Sequence, residues 1–121
     1  MTVCNVCTLN LRQANLQLQR DEELRERVNA NLETVGVPPY SGGIEVKHLL
    51  WLIAEGEGYE QLKAAAHKGL KGLRVAPFYG CQILRPSKIL GFEDPDRPWS
   101  LEAIIEACGG EPVDYPAKIK C

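Results

Sequence analysis

Five cysteines carry the most specific chemistry in this 121-residue sequence, and they are Cys4, Cys7, Cys81, Cys108 and Cys121. No basic segment followed by an apolar stretch marks the N-terminus as a secretory signal, so the predicted compartment is the cytoplasm, where thiols stay reduced. In that compartment, cysteines at such spacings more often bind metal or take part in redox chemistry than form structural disulfides. The odd number also argues against a complete disulfide framework.

The first two cysteines form a C-x-x-C pair, Cys4-Asn5-Val6-Cys7. A tight turn or a helix start aims two thiolates at this spacing in the same direction, so that both can bind one metal centre. The pair suits half of a zinc site, part of an iron–sulfur site or a dithiol redox pair. The dithiol interpretation expects a strand before the motif, and only three residues precede Cys4.

The other cysteines differ in their surroundings. Gly80 precedes Cys81 and permits an unusual backbone dihedral beside it. Arg85 would lower the pKa of a nearby thiol or offset the charge of a thiolate-bound cluster, or else make an ordinary surface ion pair. Cys108 ends an amphipathic helix and is predicted to be buried and structural. Cys121 is the last residue, which we interpret as a truncated motif.

The remaining composition argues against nucleic-acid binding, membrane spanning and metal binding by histidine. The 14 basic and 16 acidic residues give a net charge of -2, which does not favour nucleic-acid binding. The longest apolar run, 49–54, is far shorter than the roughly 20 residues that span a bilayer. His48 and His67 are isolated and are predicted to lie on helix faces, where His48 would hydrogen-bond locally, rather than to bind metal.

The pattern of apolar residues predicts helices in the first part of the chain and a βαβ unit in the second. We expect one α/β domain over 1–121, with a helix-rich part at 1–70 and a βαβ part with a short, mostly parallel sheet at 71–121. Cys81 would follow the first strand, at the end where open α/β sheets place ligands. The predicted helices are 4–19, 21–36 capped by Asp21, 45–55, 59–68, a turn near Leu90 and 101–108 capped by Ser100. The predicted strands are 73–79 and 112–115.

The sequence resembles a known family, the B-type subunits of heterodisulfide reductase. The residues that carry the resemblance span the chain: Cys4-Asn5-Val6-Cys7, Val46 to Leu50, Val75 to Ser87, Leu90 to Pro95, and Cys108 to Pro116 followed by Cys121.

The family has a cysteine-rich motif, called the CCG domain, which is usually present twice. Each copy consists of one cysteine, a long gap, an adjacent cysteine pair, another long gap and a closing C-x-x-C. Cys4 and Cys7 match the closing pair of a first copy. Cys81 matches the opening cysteine of a second copy, and Cys121, which is separated from it by 39 residues, matches the first of its adjacent pair. Cys108 matches no position of the motif.

The resemblance implies that the sequence is an internal fragment of a two-lobed α/β iron–sulfur oxidoreductase subunit that cleaves a disulfide in two one-electron steps. It implies cluster ligation by Cys4, Cys7, Cys81 and Cys121, with Tyr79, Gly80 and Arg85 around the ligands. Ferredoxin-like and flavin subunits would be partners.

The fragment itself is expected to lack iron, to be inactive and to self-associate. Zinc is a further metal that the fragment could bind. The alternative function is a zinc-stabilised or metal-free interaction module. Air oxidation would form adducts or disulfides, with Cys81–Cys121 as one candidate pair.

Overall fold

Two long helices begin the chain, and Asp21 joins them. The structure is a computed structural model, which describes residues 1–66 and 68–120. The backbone N–H of Asp21 donates to Gln17 O at the end of α1, and its carboxylate accepts from Leu24 N at 2.9 Å at the start of α2. This carboxylate confirms Asp21 as the predicted cap of the second helix. The helices in chain order are α1 (Asn5–Arg20), α2 (Glu22–Thr34), α3 (Leu49–Ala54), α4 (Gly58–Ala65), α5 (Ser87–Leu90), α6 (Ser100–Ala107) and a 3-10 turn (Pro116–Ile119).

A short parallel sheet follows the helical half. Strand β1 (Arg74–Val75) pairs in parallel with β2 (Glu111–Pro112), and α5 and α6 lie between them in the chain. The predicted α/β class with a helix-rich first half and a βαβ unit is therefore confirmed. The first strand is shorter than the predicted 73–79 because the buried Pro77 has no N–H to donate, and Tyr79 N donates to Lys118 O rather than to a strand.

The third helix is also shorter than predicted. We expected helix over 45–55, but it begins only after His48. The backbone carbonyls of the preceding residues have other partners: Val46 O accepts from the Arg12 guanidinium and Lys47 O accepts from Thr2 N. A helix over 45–48 would need those carbonyls for itself, so the segment stays extended.

The hydrophobic core lies where these elements meet. Trp51 of α3 stacks on Phe92 with ring centroids 5.3 Å apart, and the Arg12 guanidinium of α1 lies 5.2 Å from the Trp51 ring. Helices α3 and α4 of the first half both contact α6 of the second. The buried core residues are Leu50, Trp51, Tyr79, Ile83, Leu84 and Leu90. Over residues 1–66 and 68–120, no helix is long and apolar enough to cross a bilayer.

Candidate cysteine site

The Cys4–Cys7 pair lies at the first turn of α1. Cys4 is the N-cap of this helix, with extended backbone angles, and its Sγ accepts a hydrogen bond from Cys7 N at 3.4 Å. Sulfur replaces the oxygen that Ser, Thr, Asn or Asp would supply as N-cap. Both side chains are exposed. The helix start therefore aims the two sulfurs in the same direction, as the sequence spacing indicates.

The two thiols differ in acidity. Hydrogen bonds from the Cys7 thiol and from the Cys7 backbone N–H lower the pKa of Cys4 below its ordinary value. The same thiol–thiol hydrogen bond raises the pKa of Cys7, because ionisation of Cys7 would lose its donated proton. Cys4 is consequently the first of the pair to become a nucleophile or a metal ligand.

An extended residue precedes this pair, which sequence reasoning did not find. Thr2 forms a parallel bridge to His48: Thr2 N donates to Lys47 O at 2.9 Å, and Leu49 N donates to Thr2 O at 2.8 Å. The Thr2 hydroxyl also hydrogen-bonds to the buried Thr8 hydroxyl. These bonds fix the chain on both sides of Cys4, so the C-x-x-C turn has a defined position.

His48 is the link between that bridge and α3. Its Nδ1 accepts from Leu50 N at 3.1 Å, which confirms the predicted local hydrogen bond. The predicted helix-face position is wrong, because His48 is the extended N-cap that precedes α3. Burial lowers the pKa of His48 and favours the neutral ring that can accept this bond. His67, the other histidine, lies outside the described residues.

Cys81 lies in a turn on the other half of the chain. Its carbonyl accepts from Leu84 N at 3.1 Å and from Arg85 N at 2.8 Å, and the residue is partly buried. Gly80 before it has φ of 66°, which confirms the predicted unusual dihedral and would strain any other residue. The Arg85 guanidinium forms an ion pair with Asp96. This ion pair is the alternative that the sequence left open, and a role of Arg85 toward a cluster stays a prediction.

Tyr79, two residues before Cys81, belongs to a buried polar network. Its hydroxyl donates to Glu102 Oε2 at 2.5 Å and accepts from Leu101 N at 2.8 Å. Lys118 Nζ lies 2.5 Å from Glu102 Oε1. Burial and the Glu102 carboxylate both raise the pKa of Tyr79, so the phenol stays protonated.

Sequence reasoning missed Glu102 and Lys118. The available signal was the place of Glu102 among the apolar residues Leu101, Ile104 and Ile105 of an amphipathic helix. A carboxylate on a buried helix face needs a partner.

The described cysteines do not form one site. Within 1–66 and 68–120, no group of three or more Cys, His, Asp or Glu side chains could hold a metal ion. Cys4 and Cys7 lie together and suit two positions of a thiolate ligand set. Cys121 lies outside the described residues, and with it the candidate Cys81–Cys121 disulfide. Cys108 is partly buried, less than predicted, and its thiol is free.

Comparisons with known proteins find relatives over the whole chain. The chain is 39% identical over 121 residues to the 8-methylmenaquinol:fumarate reductase membrane anchor subunit of Wolinella succinogenes, of which it covers 41%. It is 35% identical over 121 residues to the B-type subunit of the ferredoxin/F(420)H(2)-dependent CoB-CoM heterodisulfide reductase of Methanosarcina acetivorans, covering 40% of that protein. A protein of Archaeoglobus profundus, named for its likeness to the B-type subunit of heterodisulfide reductase, is 34% identical over 123 residues, with 41% covered.

These alignments include every residue of the chain, which spans about two fifths of the length of the relatives. No family model matches the sequence.

Proposed function

We propose that this chain belongs to the family of B-type heterodisulfide reductase subunits and is part of an iron–sulfur redox subunit that passes electrons to a disulfide or a related acceptor. The observation that carries the proposal is the Cys4–Cys7 pair at the start of α1, within a match over the whole chain to proteins named as reductase subunits. Two exposed thiols, of which Cys4 accepts hydrogen bonds from Cys7, are a ready pair of iron ligands once they are deprotonated.

In this proposal, Cys4 and Cys7 bind one cluster, and Cys81 and Cys121 contribute ligands to another. A bound cluster supplies one-electron transfer. Reduction of the acceptor takes two electrons and two protons: the sulfur–sulfur bond breaks and two thiols form. An electron-donor subunit, of the ferredoxin or flavin class, supplies the electrons.

The residues around the cysteines have supporting parts. Gly80 lets the backbone turn beside Cys81, and Tyr79 fixes that turn to the core. Arg85 would moderate the negative charge of a thiolate-bound cluster from its place in the same turn. We expect the protein to work in the cytoplasm, where thiols stay reduced.

The test is metal analysis of a longer natural protein that contains this sequence, purified without oxygen. We expect iron and acid-labile sulfide in comparable amounts, and two thiols released per disulfide when a chemical reductant and an asymmetric disulfide are supplied. Cys108→Ser is the matched control, since Cys108 lies outside the motif, and it should keep the iron. Absence of iron and sulfide from the wild-type protein would overturn the proposal.

The same analysis decides the alternative function. The 121-residue chain alone should contain no iron, because two cysteines from each incomplete copy of the motif leave too few thiolates to hold a cluster. One tightly bound zinc per chain would favour a zinc-stabilised interaction module instead.

A further inference from the structure

We propose that Tyr79, Glu102 and Lys118 form a positioning network, which holds the turn that carries Cys81 against the segment that leads to Cys121. This inference rests on the proposed function, in which both cysteines are cluster ligands. Glu102 and Lys118 are not proposed as cluster ligands; their role is to position the segments that carry the ligands. The three residues act through the cysteines that follow two of them.

The contacts join three separate parts of the chain. Tyr79 follows β1, Glu102 lies on α6, and Lys118 lies in the 3-10 turn. The Glu102 carboxylate receives Tyr79 on one oxygen and Lys118 on the other, each at 2.5 Å. A backbone hydrogen bond from Tyr79 N to Lys118 O, at 2.8 Å, joins the outer two parts directly.

The network is buried and its polar groups are paired. Glu102 has no exposed surface and Tyr79 is 3% exposed, while the Lys118 side chain is 12% exposed. Lys118 Nζ also contacts Asp114 at 2.9 Å and Pro98 O at 3.5 Å. A buried carboxylate with one partner on each oxygen has a narrow choice of geometry, so it fixes the distance between the segments that it joins.

Two residues of the network lie close in sequence to the proposed cluster ligands. Tyr79 precedes Cys81 by two residues and Lys118 precedes Cys121 by three. Cluster ligands must be held within a fraction of an ångström, and groups behind the ligands usually provide that precision. Through Glu102 and the backbone bond from Tyr79 N to Lys118 O, the network links the residues just before Cys81 to residues 116–120.

If the network served stability alone, replacing it would change the free energy of unfolding and leave the geometry around Cys81 unchanged. Replacing a buried ion pair by apolar side chains of similar volume is often neutral for stability. The double variant Glu102→Met with Lys118→Met should therefore keep most of the wild-type stability and lose only what the buried Tyr79 hydroxyl contributed through its bond to Glu102. Its effect should appear at Cys81 instead, because the specific geometry is lost.

The experiment uses the longer protein that contains this sequence. It compares wild type, the Glu102→Met/Lys118→Met variant and a control in which an exposed ion pair is replaced, Lys47→Met/Glu55→Met, whose atoms lie 2.7 Å apart. Three quantities are measured: the urea midpoint, the rate at which a chelator removes iron, and the rate at which Cys81 is alkylated in the reduced, iron-free protein. Cys108 serves as the internal reference for alkylation.

We expect the network variant to lose iron about tenfold faster and to alkylate Cys81 faster, with at most a small fall in the urea midpoint and with unchanged Cys108 labelling. The control should match wild type throughout. A folded network variant with wild-type iron loss and wild-type Cys81 labelling would overturn the inference.

Two further outcomes remain interpretable. If the wild-type protein holds no iron, the proposed function fails, and Cys81 labelling alone decides whether the network positions the turn. If the double variant does not fold, Tyr79→Phe takes its place, because it keeps the ring and the Lys118–Glu102 pair. It should speed Cys81 labelling in the same direction, and no change would overturn the inference.

Discussion

At the scale of single residues, the two thiols of the C-x-x-C pair are unequal because one donates a hydrogen bond to the other. Cys4 is the acceptor, and its thiolate is stabilised by the Cys7 thiol and by the Cys7 backbone N–H. The pKa of Cys7 is raised, because its ionisation would lose the proton that it donates to Cys4. An exposed pair with this asymmetry presents one reactive sulfur first and a second sulfur beside it.

The first prediction concerns the titration of this pair. Alkylation of Cys4 should begin at lower pH than alkylation of Cys7, because only the thiolate reacts and the pKa of Cys4 is lowered while that of Cys7 is raised. Peptide mass spectrometry after pulses of iodoacetamide at a series of pH values measures both midpoints.

Two controls accompany this titration. In concentrated urea the midpoints of the two cysteines should converge, since the hydrogen bond is lost on unfolding. In Cys7→Ala the midpoint of Cys4 should move to higher pH. If Cys7 reacts first in the folded chain, the assigned direction of the hydrogen bond is wrong.

The sequence predicted the residue types of the candidate site better than their partners. The C-x-x-C spacing indicated converging sulfurs, and Gly80 indicated a positive φ, because both follow from local geometry. The partner of Arg85 is Asp96, eleven residues away, and the partners of Glu102 come from two other segments. Such pairs depend on how the loops fold back, which periodicity does not encode.

At the scale of the elements, α6 begins in a way that the sequence misassigned. Ser100 was predicted as the N-cap of this helix, but Trp99 occupies that position and Ser100 is the first helical residue. The Glu93 carboxylate accepts from Trp99 N at 2.8 Å, from Ser100 N at 3.0 Å and from Ser100 Oγ at 2.6 Å. A carboxylate from the preceding loop therefore supplies the cap, and its charge also suits the positive end of the helix.

The second prediction separates these two residues. Glu93→Ala should lower the free energy of unfolding by about 1 to 2 kcal/mol, because it leaves two helix N–H groups and a hydroxyl without an acceptor. Ser100→Ala removes only one hydrogen bond and should cost about 1 kcal/mol or less. Urea denaturation followed by circular dichroism measures both. A larger loss for Ser100→Ala would restore the serine as the cap.

The third prediction concerns the attachment of α1. Arg12 donates to Ile89 O at 2.9 Å and to Val46 O at 3.0 Å, and it lies over the Trp51 ring. Arg12→Met should therefore lower the free energy of unfolding by about 2 kcal/mol, since two carbonyls lose a charged donor. The matched control is Arg27→Met at an exposed position of α2, which should change stability by no more than about 0.5 kcal/mol. Equal effects of the two substitutions in urea denaturation would contradict this role.

The helical elements were easier to predict than the strands. Amphipathic spacing and Asp21 located α1 and α2 to within about two residues, the usual uncertainty of helix ends. The two strands were predicted too long because each pairs with a single partner over two residues. Whether an apolar stretch pairs as a strand depends on the neighbouring segment, and Pro77 and the Tyr79–Lys118 bond remove the rest of the first strand.

At the scale of the whole molecule, apolar side chains remain exposed around the N-terminal bridge. Val3 is 71% exposed, and Leu49 and Leu52 are 37% and 40% exposed. Val3 and Leu49 are the chain neighbours of the two residues of the Thr2–His48 bridge, and Val3 directly precedes Cys4.

The fourth prediction is that the 121-residue chain self-associates through this region. Sedimentation velocity over a range of concentrations, with a reductant present to exclude disulfide crosslinks, should give a mass that rises with concentration. Val3→Ser with Leu52→Ser should reduce the rise, whereas the control Val35→Ser, a residue 71% exposed at the end of α2, should not. A concentration-independent monomer would contradict the prediction.

The central claim is that Cys4, Cys7, Cys81 and Cys121 bind iron in a redox subunit related to the B-type subunits of heterodisulfide reductase. The most direct measurement is the iron content and electron paramagnetic resonance spectrum of a longer protein that contains this sequence, purified without oxygen. The set comprises wild type and the single variants Cys4→Ser, Cys81→Ser and Cys108→Ser. Cys4→Ser and Cys81→Ser should each lose iron and a different spectral component, while Cys108→Ser should match wild type. Retention of all iron in both Cys4→Ser and Cys81→Ser, with unchanged spectra, would contradict the claim.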